Sequence, residues 1–241
     1  MLRAAGKIFL ALFLAYAWLW IGFLKDKLGW NISNRLQLRL LIALSVAFLL
    51  QQLWLVWPSP ASQAAARDRT EVIEGLLKKC LNDYRQLCSR KGWRGNPVVR
   101  VNLMLPTQRF LLFRALYIWY TACDGGAVYT DAEKTCRWGK RQGTCGWAWS
   151  EATATVFDSK RSDLRAPAGR LKRRQVKVVG HLHSVLSTPV WDAKMIVGVL
   201  NFDSANNEDE THFTDDEVAR LAFAYTRILG PHCFRDGVKR S

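Results

Sequence analysis

Six cysteines, four histidines and a dense run of bases are the side chains most able to do chemistry in this 241-residue chain. Thiol redox chemistry would need an attacking thiolate and a resolving partner among Cys80, Cys88, Cys123, Cys136, Cys145 and Cys233. A small buried thiol is the plainer reading of each. His181 and His183 alternate with Leu182, so on a strand both rings face one way. Two imidazoles without a C-x-x-C pair or a close carboxylate make a poor metal site, and no metal is expected. From Lys134 to Lys177 there are twelve bases against Glu151, Asp158 and Asp163. Among them Arg141, Arg173 and Arg174 offer guanidinium forks that grip phosphate bidentately. Trp119, Trp138 and Trp147 offer flat faces on which a base can stack. The same charge also suits anionic lipid headgroups, at about 1 kcal/mol per Lys or Arg near the surface. Nucleic acid is not expected, because no recognition motif accompanies the charge. P-loop, G-x-S-x-G and kinase signatures are missing from the sequence.

These side chains need elements to place them. Ile73, Leu77, Cys80, Tyr84 and Leu87 follow a 4-3-4-3 spacing that predicts a helix over 61–92. That stripe is either the seam of a coiled-coil dimer or the face that packs on the chain's own domain. Val98 to Leu105 and Arg109 to Ala122 read as strands, rich in branched and aromatic residues. A short helix is expected from about Cys145, a short strand over Ala154–Phe157, and a loop over Ser159–Gly169. Ser184–Trp191 and Lys194–Asp203 read as a hairpin turning at Asp192-Ala193. Asn206 to Glu210 reads as an acidic loop. The last helix is expected to open on Thr214 with Glu217 as its capping-box partner and to stop at Gly230-Pro231. This order gives an α+β fold.

The amino-terminal quarter is different. Residues 8–24 contain no charge and residues 38–57 are interrupted only by Arg39, Ser45, Gln51 and Gln52. Their lengths match bilayer spans, and Trp18, Trp20, Trp30, Trp54 and Trp57 sit toward run ends, where amphipathic rings favour the headgroup zone. Residues 1–60 are therefore expected to form a two-span transmembrane hairpin. Positive charges flank both sides about equally, so orientation rests on the six cysteines. They form no tight framework, which suits a reducing cytoplasm.

Three stretches then resemble a known family. GTCGWAWSE (Gly143–Glu151), HSVLSTPVWDAKMIVGVLNFDS (His183–Ser204) and FTDDEVARLAFAY (Phe213–Tyr225) are similar to the GAF domain, a small-molecule sensor module. The resemblance implies a central antiparallel sheet of about six strands with flanking helices over residues 93–234, followed by a basic tail at 235–241. It also implies dimerisation through terminal helices and a ligand cavity under the basic crossover. Trp119, Trp138, Arg141, Cys145, Trp147, Arg173, Arg174, His181 and His183 are then the expected ligand-binding set. Gly143-Thr144-Cys145-Gly146 further resembles the thiol element of free methionine sulfoxide reductases, which are built on the same fold. The second cysteine of those enzymes has no counterpart in Gly180–Ser184, leaving Cys136 as the resolving thiol.

The expectation is thus a sensor held in the cell inner membrane by two spans, with a cytoplasmic GAF-like domain. Its cofactor is unspecified, its ligand a small anion such as a cyclic nucleotide, and its assembly a homodimer or higher homo-oligomer. Because the sequence stops shortly after Phe234, output is expected through the membrane helices or a partner. A thiol-based reductase and a ligand-free membrane adaptor are the alternatives.

Overall fold

The computed structural model describes residues 60–233 apart from 94, 96, 110–112, 124–126 and 162–170, together with Val46. Both apolar runs, 8–24 and 38–57, and the tail 235–241 thus lie outside the described residues, apart from Val46. Among the described residues no helix is long and apolar enough to cross a membrane. The chain divides into two units, Met1–Gln63 and Ala64–Ser241. The second holds the sheet and the helices that flank it.

Helix α1 (Pro60–Lys91) leads into strands β1 (Val99–Arg109) and β2 (Phe113–Cys123). Then come α2 (Asp131–Lys134), α3 (Gly143–Glu151), β3 (Thr155–Asp158), α4 (Arg173–Val179), β4 (Ser184–Asp192), β5 (Met195–Ser204), α5 (Glu208–Thr211) and α6 (Asp216–Cys233). The strands form one sheet in the order β2-β1-β5-β4-β3, antiparallel at every pairing. Five strands are present among the described residues, where the family resemblance implied about six. β1 pairs with β2 along its length but with β5 only from Val99 to Met104.

One sheet face is a dry core. Val101, Leu103, Leu186, Leu200 and Phe202 meet Ile73, Leu77 and Tyr84 of α1 and Val218, Ala222 and Leu229 of α6. The five stripe residues of α1 are all buried there, so the 4-3-4-3 pattern serves the domain's own sheet rather than a free coiled-coil seam. Burying each such side chain contributes roughly 1.5–3 kcal/mol. Tyr84 also donates its hydroxyl to the Thr211 carbonyl at 2.7 Å, closing α5 over the core.

Three local expectations are corrected. α6 starts at Asp216, one residue later than a Thr214 cap requires. Asp215 Oδ1 accepts from the Glu217 amide at 2.8 Å, while Thr214 turns back and donates its hydroxyl to Glu208 Oε1 at 2.6 Å. Glu217 instead pairs with Lys91 at 2.6 Å. The helix does not stop at Gly230-Pro231 but continues to Cys233. Gly230 lies against the β4–β5 turn, and a Cβ there would fall on the Trp191 carbonyl oxygen. The glycine answers a packing demand, not a helix end. Finally, the acidic loop contains a helical turn, α5, in which the buried Glu208 also accepts from the Thr214 amide at 2.7 Å.

Candidate functional site

The opposite sheet face carries polar residues at alternate positions: Arg100 and Asn102 on β1, Asn201 and Asp203 on β5. Side chains two apart on a strand share a face. The register sets Arg100 opposite Asp203 and Asn102 opposite Asn201. Arg100 Nε donates to Asp203 Oδ1 at 2.6 Å and its Nη2 donates to Glu133 Oε1 at 2.8 Å. Its guanidinium also covers the Tyr129 ring, 4.1 Å from the centroid. Asp203 Oδ2 accepts from the Tyr129 hydroxyl at 2.7 Å and from Asn102 Nδ2 at 3.0 Å. Glu133 Oε2 takes the amide and hydroxyl of Thr130 at 2.7 and 2.9 Å, the capping box of α2.

Arg100, Asn102, Tyr129, Glu133, Asn201 and Asp203 are all buried, so the charges among them are set by one another. Burial pushes the Asp203 carboxyl up, against the pull of Arg100 and Tyr129. Burial also acts to raise Glu133, but Arg100 and the Thr130 contacts outweigh it and hold that carboxyl below its usual range. Desolvation opposes the Arg100 charge, yet Asp203, Tyr129 and Glu133 hold the guanidinium above its ordinary value.

Over this floor lies a cavity of about 150 Å³. Asn102, Asn201, Asp203, Tyr129 and Glu133 form its polar end; Met104, Ile118, Val156, Phe157, Leu171, Leu182 and Val185 are among its apolar walls. Trp138, Cys145 and Trp147 complete it. Trp138 is fixed by a two-bond bridge to Leu116 on β2, its carbonyl accepting at 2.9 Å and its amide donating at 3.2 Å. Gly143 takes φ +61° at the start of α3, and a Cβ there would press within 3.3 Å of both Trp138 and Leu171. Glycine thus lets α3 enter beside the indole.

Of the expected ligand-binding residues, Trp138, Cys145 and Trp147 line the cavity. Arg141 sits outside, paired with Glu151 at 2.9 Å and placed over the Trp147 ring. Arg173 and Arg174 are exposed on α4. Trp119 is exposed on β2, where its Nε1 donates to Thr107 Oγ1 at 3.3 Å. His181 and His183 are exposed and diverge: His181 Nε2 lies 3.5 Å from Glu133 Oε1, whereas His183 Nδ1 meets Ser159 Oγ at 2.9 Å. Arg165 and Arg170 of the basic crossover fall outside the described residues. No group of His, Cys, Asp and Glu suited to a metal ion occurs among the described residues.

Cys145 is buried and free, and so is Cys136. Burial drives the Cys145 thiol up to about 12, and burial likewise raises Cys136. Thiolate attack is favoured by the reverse shift; both thiols pack in one apolar cluster with Met104, Leu116 and Val199. Cys145 Sγ lies 3.8 Å from the Gln142 carbonyl.

A family model for the GAF domain matches residues 96–227, over half of the sequence. The chain belongs to the GAF domain family. Its GAF domain is also similar in structure to a type II free methionine-R-sulfoxide reductase from Thermoplasma acidophilum, with 12% identity, TM-score 0.43, and 68% and 98% of the two chains covered. The fRMsr of Staphylococcus aureus, solved with its substrate, gives 16% identity, TM-score 0.40, and 69% and 92% coverage. The GAF domain of an Acinetobacter phosphoenolpyruvate-protein phosphotransferase gives 10% identity, TM-score 0.42, and 66% and 90%. No curated protein matches the chain.

Arg100, Asn102, Tyr129, Glu133, Asn201 and Asp203 are the site residues that motif reading passes over. A signal for four of them was in the sequence. Arg100 and Asn102 interrupt VVRVNLML, and Asn201 and Asp203 interrupt GVLNFD, in each case two residues apart. Polar pairs with period two inside apolar strands put one polar patch on one face of a sheet.

Proposed function

We propose that this protein is a membrane-anchored small-molecule sensor whose GAF domain takes its ligand into the cavity between the sheet and α2–α4. The observation that carries the reading is two buried polar atoms on residues that line the cavity, Asn201 Oδ1 and Trp138 Nε1, that have no hydrogen-bond partner. Leaving such a group unsatisfied costs about 1–3 kcal/mol, a cost that a bound molecule removes. The match of residues 96–227 to the GAF domain family supports a ligand-binding fold. The two apolar runs at 8–24 and 38–57 are the anchor, on the strength of their length and their terminal tryptophans. Six free thiols favour a cytoplasmic domain.

The exposed bases Lys172, Arg173, Arg174 and Lys177 on and beside α4 are then the part of the domain that meets anionic lipid. Switching requires that ligand binding favour one arrangement of the output elements over another. The membrane helices, a homo-oligomer or a separate partner are the routes for that output.

The test is mass spectrometry of small molecules released from the full-length protein purified in detergent. One species at near-equal molar amount is expected, and adding it back should raise the melting temperature by mass action. No retained species, together with no stabilisation across a metabolite screen, would overturn the reading. Separately, the chain should stay with membranes through a high-salt wash and be freed by deleting residues 1–59. Release of the intact chain by salt would sink the anchor.

A further inference from the structure

The cavity floor has a direction, set by its charges. Asp203 accepts from Arg100, Tyr129 and Asn102. Asn102 must therefore turn its amide nitrogen toward Asp203, and that nitrogen also donates to the Tyr129 hydroxyl at 2.8 Å. The Asn102 carbonyl oxygen is left facing Asn201, whose Nδ2 donates to it at 3.0 Å. That orientation forces Asn201 to present its own oxygen as the end of the chain, and this oxygen is the buried acceptor without a partner. An amide flip at Asn201 would set two oxygens against each other, so the network leaves one choice. Ser187, the register partner of Asn201 on β4, has a buried hydroxyl that is unpartnered as well. Trp138 Nε1 adds a fixed donor.

The charged groups at this end are already matched. Both oxygens of Asp203 and both of Glu133 accept hydrogen bonds from groups of the protein. An ammonium ligand would have to share both carboxylates with the Arg100 guanidinium. An anionic ligand meets two buried carboxylates against one guanidinium. A volume of about 150 Å³ is that of a cavity able to take benzene, and lies below the usual range of pockets for larger ligands. Trp138, Trp147 and Phe157 line it, and flat rings pack well on flat rings.

We infer that the GAF cavity selects an uncharged aromatic or heteroaromatic molecule of about six to ten non-hydrogen atoms that donates a hydrogen bond to Asn201 Oδ1. This inference rests on the sensor reading and narrows it to one ligand class.

Calorimetric titration of the full-length protein, in detergent, tests it with four probes. Indole carries the ring and the donor, 1-methylindole the ring without the donor, benzoate a negative charge and benzylamine a positive one. Indole is expected to bind about tenfold more tightly than 1-methylindole, the ratio expected for one buried hydrogen bond, and more tightly than either ion. In Asn201→Leu that ratio should fall to about one, since both probes lose the acceptor alike. The comparison of indole with its methyl derivative in the unaltered protein does not depend on that variant folding.

Equal affinity for the two indoles, or binding of none of the four probes, would overturn the inference. Tighter binding of benzoate, benzylamine or an added cyclic nucleotide would overturn it too while leaving the sensor reading standing. The sensor reading fails on its own test, when no molecule is retained and none stabilises the protein.

Discussion

The two faces of the sheet are built from the same five strands, yet they obey different rules. Against α1 and α6 the face is apolar and closed: Tyr84, Phe202 and Phe213 meet ring to ring at centroid distances of 5.9 to 6.1 Å. Against α2, α3 and α4 it carries buried charge, a cavity and polar atoms without partners. One face holds the fold and the other keeps room inside it. The dry core and the cavity are thus separated by the two-residue period of a strand, since Asn201 and Asp203 point to the cavity while Leu200 and Phe202 enter the core.

Substitutions should divide along that line. The largest effects belong to the closed face and to the charge pair. Phe202→Ala is expected to cost about 3–5 kcal/mol, read from urea unfolding. A value under 1 kcal/mol would mean the closed face is looser than its packing indicates. Arg100→Leu leaves two buried carboxylates without their cation and should cost a comparable amount, about 3–5 kcal/mol. If it costs no more than a surface change, the network does not organise the cavity floor.

A smaller effect of opposite sign is expected in the cavity wall. Val185→Leu places an extra methylene into open space and should stabilise the protein by up to about 1 kcal/mol while weakening retention of the co-purified ligand. An equal gain of stability from the matching change at Val101, on the other face, would erase the contrast. There the packing is full, and overfilling costs about 1–3 kcal/mol.

Alkaline pH acts on both faces through their buried thiols. The ordinary thiol value is 9.0, and burial holds Cys145 near 12 in the folded domain. Between these values the unfolded chain has lost that proton and the folded chain keeps it. Unfolding free energy must therefore fall as pH rises from about 9 to 12. Cys145→Ala should remove up to one proton from that slope. It leaves the shares of Cys233, which burial also holds near 12, and of Cys80, Cys88, Cys123 and Cys136, which burial raises as well. An unchanged slope would show that Cys145 ionises freely in the folded domain. The smallest effects belong to the rim. Arg173→Ala with Arg174→Ala should move stability by less than about 0.5 kcal/mol. The same pair should weaken binding of the full-length chain's domain face to phosphatidylserine vesicles at low salt.

Regular patterns made the closed face readable from sequence alone. The spacing of Ile73, Leu77, Cys80, Tyr84 and Leu87 announced a helix with one apolar side, and Ser184–Asp203 announced its hairpin. The cavity face was harder because its partners are far apart in the chain. Arg100 and Asp203 are separated by 103 residues, so no local window contains the pair. α4 was missed for a related reason. Its sequence, RRQVKVV, buries only Gln175, whose amide spans to the Arg137 carbonyl at 2.6 Å and to Gln142 Oε1 at 3.1 Å. Tertiary contacts, not helical periodicity, specify that turn. The bases of Lys134–Lys177 gave the opposite error of emphasis. They were conspicuous in sequence, but the described ones lie on the outside, and the cavity takes its charge from three residues that composition hides.

Gly230 gives the molecule a joint without padding. In most helix-on-sheet packing, side chains separate the two backbones and can absorb small displacements by changing rotamer. At Gly230 the backbone of α6 rests on the carbonyl of Trp191 with no room for even a methyl group. A shift in the β4–β5 turn therefore has no side chain to take it up at that point. The last helix must travel with the hairpin, as two gear teeth travel when no clearance is left between them.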